Sequence, residues 1–578
     1  MNDLFIRIKF VFVLSFKIDI PTTSKNDRTM SVQRCIDANA KFLDEMNQTL
    51  HNAGVLFESR IDAVLEALRG VFKTTPLSAQ KPLQDILSTI SVSKEELFQK
   101  VFMFYGSKYL KKEFDQFYTP ITVGEFVCGI CVPNKKAIDP ACGTGDLLIH
   151  YNGDVSLWDI SGEVTDLAIQ NYNFQCKNAD ILTSDSICNS TTANGTYDYA
   201  IANPPFGTKT LTSDTEILNT YLLGKGRKKQ ELGILFVERS LNLLKEGGIM
   251  SIILPNGYFG NMSGAYVELR KFILNHRVVG VIKLPQNTFK RSGTGVSTNI
   301  LIVSKTAPPA EYDIFIEEVI DIGYELNKKN TPYKYRHNKK DYVLDSLGKP
   351  VLQNDLPAVL ERLKTFASKN GIKGIPNPNR LDTSYQVFNT RVLDDNRILD
   401  ISRYLKSYTG VVSNIEGKVA LRDLLEEEYT CVFKKEADNE YVYLDIKEIN
   451  TPLHNGKKIL GHALPSRAKY LVKKNDILVS RLKGDISFTI IVEDDDNIVS
   501  TNGVCVLRPK NEAAMLTIFA GIYSPEFKIQ HRARTTGSIM ETITDEDLKN
   551  IVVSSDIDVA RFQKILDSVT VLQTELPQ

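Results

Sequence analysis

The chain of 578 residues is 42% hydrophobic and 24% charged, a composition typical of folded globular proteins that excludes collagen-like, low-complexity and wholly disordered chains. Its 70 basic residues balance its 70 acidic ones, which excludes a histone-like polycation but not a local basic groove. The length predicts about three or four domains, and 8 cysteines are too few for a disulfide scaffold, so we expect a reducing, cytoplasmic compartment.

Residues 1–29 precede the first long helical pattern and contain one short apolar run, Phe10–Phe16, between two lysines. No stretch of the sequence reaches the roughly 18 apolar residues that a membrane helix needs, and no small-residue cleavage pattern follows the run. We interpret residues 1–29 as extra residues ahead of a start at Met30, or as an additional strand or tail. No membrane partner is expected.

Residues 30–112 carry apolar side chains at helical spacing, with breaks at Gly70 and Pro76. No catalytic or metal-binding pattern accompanies them. The segment is therefore predicted as a helical N-terminal domain that packs on another part of the molecule or holds a binding partner.

Residues 113–306 switch to alternating strands and helices, the pattern of a doubly wound α/β sheet with mostly parallel strands. The predicted strands are Ala137–Asp139, Val155–Ile160, Tyr197–Ala202, Ile249–Leu254, Val278–Leu284 and Asn299–Val303. The predicted helices are Glu163–Tyr172, Glu231–Leu244 and Tyr266–Asn275. A polar loop around Arg291–Gly295, too short for a crossover helix, joins the last two strands, so we expect an antiparallel hairpin at one edge of the sheet.

A glycine-rich turn, Asp139–Asp146, follows the first predicted strand. The turn lacks the Gly-Lys-Ser/Thr of a phosphate-binding loop and the third glycine of the dinucleotide fingerprint. The acid ahead of the turn fits S-adenosylmethionine better, because this ligand has no phosphate and its ammonium group prefers a carboxylate or carbonyl. The sequence therefore predicts a Rossmann-like methyltransferase sheet. The candidate cofactor-binding residues of the turn are Asp139, Ala141, Gly143, Gly145 and Asp146.

Two further acids follow the next predicted strands. Asp159 ends the second strand, twenty residues after Asp139, where a carboxylate can accept both ribose hydroxyls. Asp180 stands at the expected end of the third strand, where it would accept from the adenine amino group. Any one acid can be a helix N-cap, but three acids after consecutive strands favour a cofactor site.

The fourth predicted strand ends in the segment Asn203-Pro204-Pro205-Phe206. Two prolines after a strand fix the direction of the chain. The side-chain oxygen of Asn203 and the carbonyl oxygen of Pro204 can hold the N–H groups of an exocyclic amine, so that its lone pair points at a methyl donor. Phe206 can stack on the flat face of an extruded base. These four residues are the predicted catalytic residues, and Asn203 is also expected to border the cofactor.

The strings DPACGTG and ANPPF resemble those of DNA amino-methyltransferases, in which the Asn-Pro-Pro-Phe form usually marks N6 of adenine. Longer strings are similar to the modification subunits of type I restriction–modification systems: Asp115–Pro120, Glu238–Gly248, Leu254–Gly257, Leu284–Pro285 and Gly295–Asn299. The resemblance, strong over residues 114–305, implies an active-site loop at Asn203–Phe206. It also implies that four residues lie along the cofactor: Phe117, Tyr118, Thr119 and Pro120.

Residues 307–380 combine a basic, aromatic stretch with a predicted helix at Leu356–Ser368, and we interpret them as a connector. Residues 381–578 are predicted to be mostly β, with a last helix at Val559–Glu575. The predicted strands of this domain are Tyr441–Asp445, Ile477–Ser480, Phe488–Val492 and Val504–Leu507.

Three strings of the C-terminal segment resemble one target-recognition half of a type I specificity subunit: Ala463–Asp476, Val499–Gly503 and Thr536–Ile543. The resemblance implies a β-rich target-recognition domain that recognises bases in the major groove. It also implies a helix that docks on a partner through Phe562, Ile565, Leu566 and Val569. Such subunits usually carry two halves, so one chain of this kind should recognise one short continuous site, and a bipartite site would require a dimer.

Basic residues suited to DNA phosphates occur at Lys225–Lys229, Lys328–Lys340 and Arg467–Lys474, although any one of these stretches is more typical of a solvated charged surface. The residues and the resemblance together predict a DNA adenine-N6 methyltransferase with modification and target-recognition parts in one chain. The expected partners are double-stranded DNA and either a second copy of the chain or a restriction or specificity subunit. The choice of adenine over cytosine N4 rests on the resemblance.

Two alternative functions remain open at this point. Asn-Pro-Pro-aromatic loops also serve methyltransferases of RNA bases and of protein glutamine, and a non-catalytic DNA-binding assembly subunit could keep the same fold. A zinc site at Cys128 and Cys131 is not expected, because no second cysteine pair or histidine cluster accompanies them. The sequence contains no recognisable nuclease cluster or translocase motif, so restriction would need a separate subunit.

Overall fold

The computed structural model describes residues 25–90, 92–105, 118–205, 211–290, 295–326, 333–339, 341–346, 348–427, 429, 431–484, 486–537 and 540–575. These residues form a helical region (25–105), a central region built on one large sheet (118–405) and a C-terminal region of small sheets and helices (406–575). No helix within these ranges combines the length and the apolar character needed to span a membrane.

The helical region contains α1 (Lys25–Asn52), α2 (Arg60–Arg69), α3 (Leu77–Thr89) and α4 (Lys94–Tyr105). Their apolar faces meet in one cluster, in which Met46, Leu50 and Val64 are fully buried. The break predicted at Gly70 ends α2, because glycine adopts there the left-handed conformation, with φ of +69°. The predicted helical character is confirmed, and α1 begins ahead of the predicted boundary at Met30.

The central region consists, in chain order, of α5 (Ile121–Gly129), β1 (Lys136–Asp139), β2 (Asp154–Asp159), α6 (Gly162–Phe174), β3 (Asp180–Thr183), β4 (Tyr197–Ala202), β5 (Leu211–Thr212), α7 (Thr215–Asn219), β6 (Gln230–Glu231), α8 (Leu232–Leu243), β7 (Leu244–Pro255), α9 (Gly257–Gly260), α10 (Gly264–Ile273), β8 (Arg277–Lys283), β9 (Thr298–Ser304), β10 (Asp313–Glu318), β11 (His337–Asn338), β12 (Asp341–Tyr342), α11 (Leu356–Lys369) and β13 (Gln386–Asn389).

Nine of the described strands form one sheet in the order β13-β10-β8-β9-β7-β4-β1-β2-β3. Strands β3, β2, β1, β4 and β7 run parallel, as the alternation of strands and helices predicts. Helices α5, α6 and α11 cover one face of this sheet, and α8 and α10 cover the other. The inner strands are apolar on both faces, and all 7 residues of β9 are buried. The predicted Rossmann-like α/β class is confirmed.

The predicted hairpin of the last two strands is confirmed, but its predicted place at one edge of the sheet is wrong. β8 and β9 pair in antiparallel fashion, and then β10 adds to β8 and β13 adds to β10. β10 belongs inside the sheet because Ile314, Phe315 and Ile316 are fully buried, with Phe315 packed on Phe366 of α11. The sheet therefore continues past the predicted boundary at 306 and past the predicted start of the C-terminal domain at 381.

The C-terminal region consists of α12 (Lys406–Asn414), β14 (Lys418–Ala420), α13 (Leu421–Leu424), β15 (Glu440–Leu444), β16 (Ile449–Asn450), β17 (Leu453–His454), β18 (Lys457–Leu460), β19 (Ala468–Leu471), β20 (Ile477–Ser480), β21 (Phe488–Ile490), β22 (Ile498–Thr501), β23 (Val504–Leu507), α14 (Glu512–Tyr523), α15 (Pro525–Arg534), α16 (Asp545–Lys549), β24 (Val552–Ser554) and α17 (Val559–Glu575). Its larger sheets have the orders β18-β15-β22-β19 and β21-β20-β23.

The four strands and the last helix predicted for this region are confirmed, with β20, β23 and α17 at their predicted bounds. The prediction misses two adjacent helices, α14 and α15, which pack on the three-stranded sheet β21-β20-β23. Most of α14 is buried on every side, so its apolar residues form a nearly continuous run without helical periodicity. The predicted β-rich character of the C-terminal region is confirmed, and the two missed helices add to it.

The last helix, α17, lies against its own region with part of the predicted docking face. Phe562 meets Phe519 of α14 edge to face, with 6.0 Å between ring centroids. Leu566 and Val569 are 7% and 4% exposed. The same chain thus covers two of the four predicted docking residues, while Phe562 and Ile565 are partly buried, and docking on a partner stays a prediction.

Candidate active site

The carboxyl ends of three neighbouring parallel strands, β4, β1 and β2, meet at one edge of the large sheet. Asp139 ends β1, Asp159 ends β2 and Asn203 directly follows β4. The carboxyl edge of an open parallel sheet is where such folds bind their ligands. The structure thus brings the predicted cofactor and catalytic segments to the same edge.

The glycine-rich turn after β1 is held in place by the end of β2. The carboxylate of Asp159 accepts hydrogen bonds from the backbone N–H groups of Gly143 and Ser161, each at 3.0 Å. The N–H of Cys142 donates to the carbonyl oxygen of Trp158 at 2.8 Å. Asp159 therefore shapes the turn, and its carboxylate has lone pairs left for further donors.

The two predicted glycines of the turn have different tasks. Both adopt positive φ, +54° at Gly143 and +78° at Gly145. A Cβ at position 145 would lie 2.8 Å from Cε2 of Tyr172, so Gly145 allows the turn to pack on α6. A Cβ at position 143 would meet no heavy atom of the described residues within 4 Å. Gly143 therefore leaves open space where a ligand can approach the backbone.

The carboxyl group of Asp139 is buried beside this turn. Its side chain is 1% exposed and accepts a hydrogen bond from the N–H of Ala141 at 3.0 Å. Burial raises the pKa of Asp139 to about 8. The hydrogen bond from Ala141 acts to lower this pKa, and the negative charge of Asp159 acts to raise it. Burial also raises the pKa of Asp159. Two neighbouring acids of raised pKa suit a cationic ligand, which would favour their charged forms.

Asp146, the last predicted residue of the turn, is engaged within the protein. Its carboxylate accepts from Oγ1 of Thr144 at 2.6 Å and from Nδ2 of Asn171 at 3.3 Å. The side chain is 6% exposed. Asp146 thus stabilises the turn through α6, and its direct contact with a cofactor stays a prediction.

The predicted place of Asp180 at the end of a strand is wrong. Asp180 is the first residue of β3 and pairs with Ser156, three residues before Asp159 on the neighbouring strand. At about 3.3 Å per residue, Asp180 lies roughly 10 Å back from the level of Asp159. The prediction fails because the short strand begins at this acid and continues through Ile181 and Leu182.

Asn203 is oriented by the segment that precedes α5. Its Nδ2 donates to Oγ1 of Thr119 at 3.1 Å, so the amide oxygen is turned away from that hydroxyl. Thr119 is 4% exposed, and its carbonyl oxygen accepts from Nε2 of Gln99 in α4 at 2.8 Å. Tyr118 and Pro120, which flank Thr119, therefore lie beside the predicted catalytic segment, and the helical region supports that segment.

The chain leaves β4 through a stiff proline pair. Pro204 is buried and Pro205 is partly buried, which sets the course of the backbone after Asn203. Phe206 and Phe117 lie outside the described residues, so their roles in stacking on a base and lining the cofactor stay predictions.

Two residues that sequence reasoning did not single out also border the site. Ile160 follows Asp159 directly and is 63% exposed, an apolar surface beside the carboxylate. Its position directly after an acid that ends a strand could have identified Ile160 from the sequence. Gln99 holds Thr119 from a different region of the fold, and no pattern in the sequence points to that contact.

The cysteine pair of the sequence has a structural role in the core. The thiols of Cys128 and Cys131 donate to the carbonyl oxygens of Leu147 and Val127. Burial raises the pKa of both thiols. Within the described ranges, no three His, Cys, Asp or Glu side chains come together as metal ligands would.

Comparison with known proteins places the site in a recognised family region. Residues 95–348 match the family described as N-6 DNA Methylase, a span that includes the glycine-rich turn and Asn203. The type I restriction enzyme MjaVII methylase subunit of Methanocaldococcus jannaschii is 25% identical over 216 residues, which cover 33% of this chain and 36% of that subunit. The MjaIX methylase subunit of the same organism is 23% identical over 274 residues, which cover 42% of this chain and 49% of that subunit.

The matched segments thus span about a third and about a half of the length of these two relatives. Among solved structures, the type IIG restriction endonuclease BpuSI is 13% identical, with a TM-score of 0.47 over 95% of this chain and 74% of that chain.

Proposed function

We propose that this chain, whose residues 95–348 form an N-6 DNA methylase region similar to type I methylase subunits, transfers a methyl group from S-adenosylmethionine to N6 of adenine in double-stranded DNA. The observation that carries the proposal is the position of Asn203. It follows β4 directly, its amide is oriented by Thr119, and it lies on the same edge as the glycine-rich turn.

The residues at the end of β1 and β2 fit the cofactor. Gly143 leaves space above the backbone, which suits a ligand without a phosphate group. Asp139 offers a buried carboxyl group for the ammonium of the methionine part, and Asp159 offers acceptors for the ribose hydroxyls. Ile160 offers an exposed apolar surface for the adenine ring. When bound, the cofactor supplies an activated methyl group on a sulfonium.

The protein must make a poor nucleophile react. The exocyclic nitrogen of adenine shares its lone pair with the ring, and two acceptors that hold its N–H groups favour a pyramidal nitrogen. The amide oxygen of Asn203 and the carbonyl oxygen of Pro204 would be these acceptors. The nitrogen then forms its bond to the methyl carbon as the carbon–sulfur bond breaks and leaves a neutral thioether, and the surplus proton passes to solvent.

The target base must leave the DNA helix to reach this edge of the sheet. We infer that the C-terminal region recognises the target sequence, in keeping with its resemblance to a specificity half. Exposed lysines at positions 469, 473 and 474 of that region and at positions 225, 228 and 229 of the central region are suited to phosphates. A second copy of the chain, or a restriction or specificity subunit, would complete a restriction–modification assembly.

Mapping of modified bases tests the proposal directly. The protein, Asn203→Ala and the control Asn173→Ala would be expressed in a bacterial host without DNA methylation, and genomic DNA would be analysed by long-read sequencing. Asn173 is exposed on α6, away from the edge that carries Asn203. We expect N6-methyladenine in one short motif with the wild type and with Asn173→Ala.

Asn203→Ala should lower methylation by about a hundredfold to a thousandfold, because the amine loses an oriented acceptor in the transition state, while cofactor binding measured by calorimetry persists. Full activity of Asn203→Ala would contradict the assigned role. Methylated cytosine in place of methylated adenine would show that cytosine is the target base. Unmodified DNA would point to a missing partner, or to RNA or protein glutamine as substrate, which labelled cofactor with total RNA and lysate would separate.

A further inference from the structure

The carboxyl edge of the large sheet continues beyond the candidate active site, and there its polar groups are buried. Asn256 follows β7, and Asn299 lies near the start of β9. Both are 1% exposed, and Nδ2 of Asn299 donates to Oδ1 of Asn256 at 2.9 Å. β7 is the neighbour of β4, with Ile252 beside Ala202, so this pair lies one strand away from Asn203.

A segment that we call the strap, residues 394–405, covers this part of the edge. Asp400 of the strap is 2% exposed and accepts from Nδ2 of Asn256 at 3.2 Å. The N–H of Leu399 donates to the carbonyl oxygen of Phe259 at 2.9 Å. Arg270, which is fully buried, donates to the carbonyl oxygen of Asn396 at 2.9 Å. The strap is therefore fixed along its length to β7–α10 of the large sheet layer, through Asn256, Phe259 and Arg270.

Lys283, at the end of β8, adds charge to this contact. Its Nζ donates to Oγ of Ser402 at 2.6 Å and lies 3.7 Å from Oε1 of Glu318. Burial by itself would lower the pKa of Lys283, but the carboxylates of Asp400, Glu318 and Glu541 raise it above its usual value. The lysine thus keeps its charge between acids of β10, the strap and the C-terminal region.

The opposite side of the strap binds the C-terminal region. Arg403 forms a two-point ion pair with Asp547, with Nη1–Oδ1 of 2.8 Å and Nη2–Oδ2 of 3.0 Å. Oε1 of Glu541 accepts from Oγ of Ser297 at 3.2 Å, and its other oxygen pairs with Lys483 of the C-terminal region. Glu541 therefore joins the sheet edge to the C-terminal region without the strap.

Gly260, the last residue of α9, brings the two regions into direct contact. A Cβ at position 260 would lie 2.6 Å from Cγ2 of Thr536 in the C-terminal region and 3.5 Å from Cβ of Asp400. Thr536 is a short, branched residue, so it has no long flexible end that could move aside. The glycine marks a place where the two regions meet without a gap.

We propose that the contacts of the strap with Asn256 and Asp547, together with those of Glu541 and Gly260, form a seat that holds the C-terminal region at one position relative to Asn203. The seat then sets the distance between the DNA sequence recognised and the base methylated. Asp400 and Glu541 act as positioning residues, since they reach the active-site loop only through the sheet edge. Buried, paired polar groups specify one arrangement of two parts, whereas an apolar contact tolerates sliding. The inference rests on the proposed function for its consequence, but not for the seat itself.

Gly260→Ala tests the seat, with Gly264→Ala as the matched control. Gly264 begins α10 nearby, and a Cβ there would meet no described heavy atom within 4 Å. Hydrogen exchange of the full chain measures the seat without DNA. We expect amides of the strap and of residues 540–543 to exchange about tenfold faster in Gly260→Ala, and to remain unchanged in Gly264→Ala.

Base mapping then measures the consequence. In Gly260→Ala, methylated adenines should spread to other distances from the recognised motif. The value of kcat at the original adenine should fall about a hundredfold while KM for DNA changes little, because the base is misplaced after the sequence is bound. Glu541→Gln should shift the same quantities in the same direction by a smaller factor, and Glu546→Gln, whose partner Arg422 lies in the same region, should not.

The outcomes separate the two proposals. Unchanged exchange of the strap in Gly260→Ala would overturn the seat, whatever the DNA result. Faster exchange with an unaltered methylation distance would overturn its positioning role. Faster exchange in a protein whose wild type methylates RNA or protein glutamine instead of DNA would support the seat and overturn the proposed function.

Discussion

The carboxyl edge of the nine-stranded sheet has two halves with similar side chains and opposite surroundings. In the half formed by β4, β1 and β2, Asp139, Asp159 and Asn203 border open space at Gly143. In the half formed by β7, β9 and β8, Asn299 pairs with Asn256, and Asn256 pairs with Asp400 of the strap. Carboxylates and amides thus serve a ligand site in one half and the attachment of another region in the other.

The difference bears on how motifs are interpreted. The strings Leu254–Gly257 and Gly295–Asn299 belong to the same resemblance as the glycine-rich turn, and a common catalytic purpose would be the simplest interpretation. The structure instead uses Asn256, Ser297 and Asn299 to hold the strap and the C-terminal region. A motif at a sheet edge therefore indicates a polar site. Whether that site binds a ligand or another region of the protein depends on the groups that face it.

Breaking the covered half should have the largest effect on stability. Arg403→Ala removes one partner of the ion pair with Asp547, whose side chains are 12% and 8% exposed. The carboxylate of Asp547 would remain buried and keep only the hydrogen bond from Oγ1 of Thr544 at 3.1 Å and the longer contact with Nη1 of Arg534 at 3.8 Å. We therefore expect the free energy of unfolding to fall by about 1.5–3 kcal/mol. Equilibrium unfolding in urea, followed by circular dichroism, measures the loss.

The control for this prediction is Arg422→Ala. Arg422 pairs with Glu546 at the surface of the C-terminal region, where the two side chains are 46% and 65% exposed. An exposed pair of this kind contributes about 0–1 kcal/mol. Equal losses in the two variants would show that Arg403 is no more than a surface residue in solution.

The open half should instead respond to pH through its ligand. The pKa of Asp139 is raised to about 8 by burial, so its carboxyl group keeps its proton below that pH. Binding of an ammonium group requires the charged form, so cofactor affinity should rise with pH, by up to about tenfold per unit between pH 6 and 7.5. The range stops below the pH at which the ligand's own amino group loses its proton, about 7.7–8.0.

Calorimetry in two buffers of different ionisation enthalpy checks this prediction, because binding at pH 6 should release a proton. Asp139→Asn should bind the cofactor more weakly and with little dependence on pH over the same range. An affinity of the wild type that stays flat from pH 6 to 7.5 would mean that Asp139 does not meet the ammonium group.

The sequence predicts the open half far better than the covered half. Asp139, Asp159 and Asn203 each stand at the end of a short apolar run, so strand, turn and side chain are all encoded within a few residues. Asp180 shows the limit of that signal. Asp180 has the expected neighbours in the sequence, but β3 begins at this residue. Only the pairing of β3 with β2 shows how far Asp180 lies from the carboxyl edge of the sheet.

The covered half depends on contacts between distant residues. Asp400 bonds to Asn256, and Glu541 bonds to Ser297, although more than a hundred residues of the chain separate the partners in each pair. No local sequence pattern predicts either contact. The same cause explains the missed strands of the sheet. β13 has four residues of mixed polarity, and its place follows only from the edge that β10 leaves unpaired.

The smallest effect we predict concerns the hydrogen bond that orients the catalytic amide. Thr119→Val keeps the shape of the side chain but removes the oxygen that accepts from Nδ2 of Asn203 at 3.1 Å. The amide can then rotate and present its nitrogen to the target amine. Loss of one such bond should lower kcat about tenfold, with KM for the cofactor nearly unchanged. Steady-state methylation of the mapped site measures both quantities.

Thr122→Val is the matched control, because Thr122 lies one turn further along the same segment and donates instead to the carbonyl oxygen of Ile322 at 2.7 Å. That change should affect stability more than kcat. Thr119→Ser restores the acceptor and should recover most of the activity. If serine failed to recover it, or if both valine variants lost kcat equally, the loss would come from packing of α5, and the orientation of Asn203 would have to be supplied by another residue.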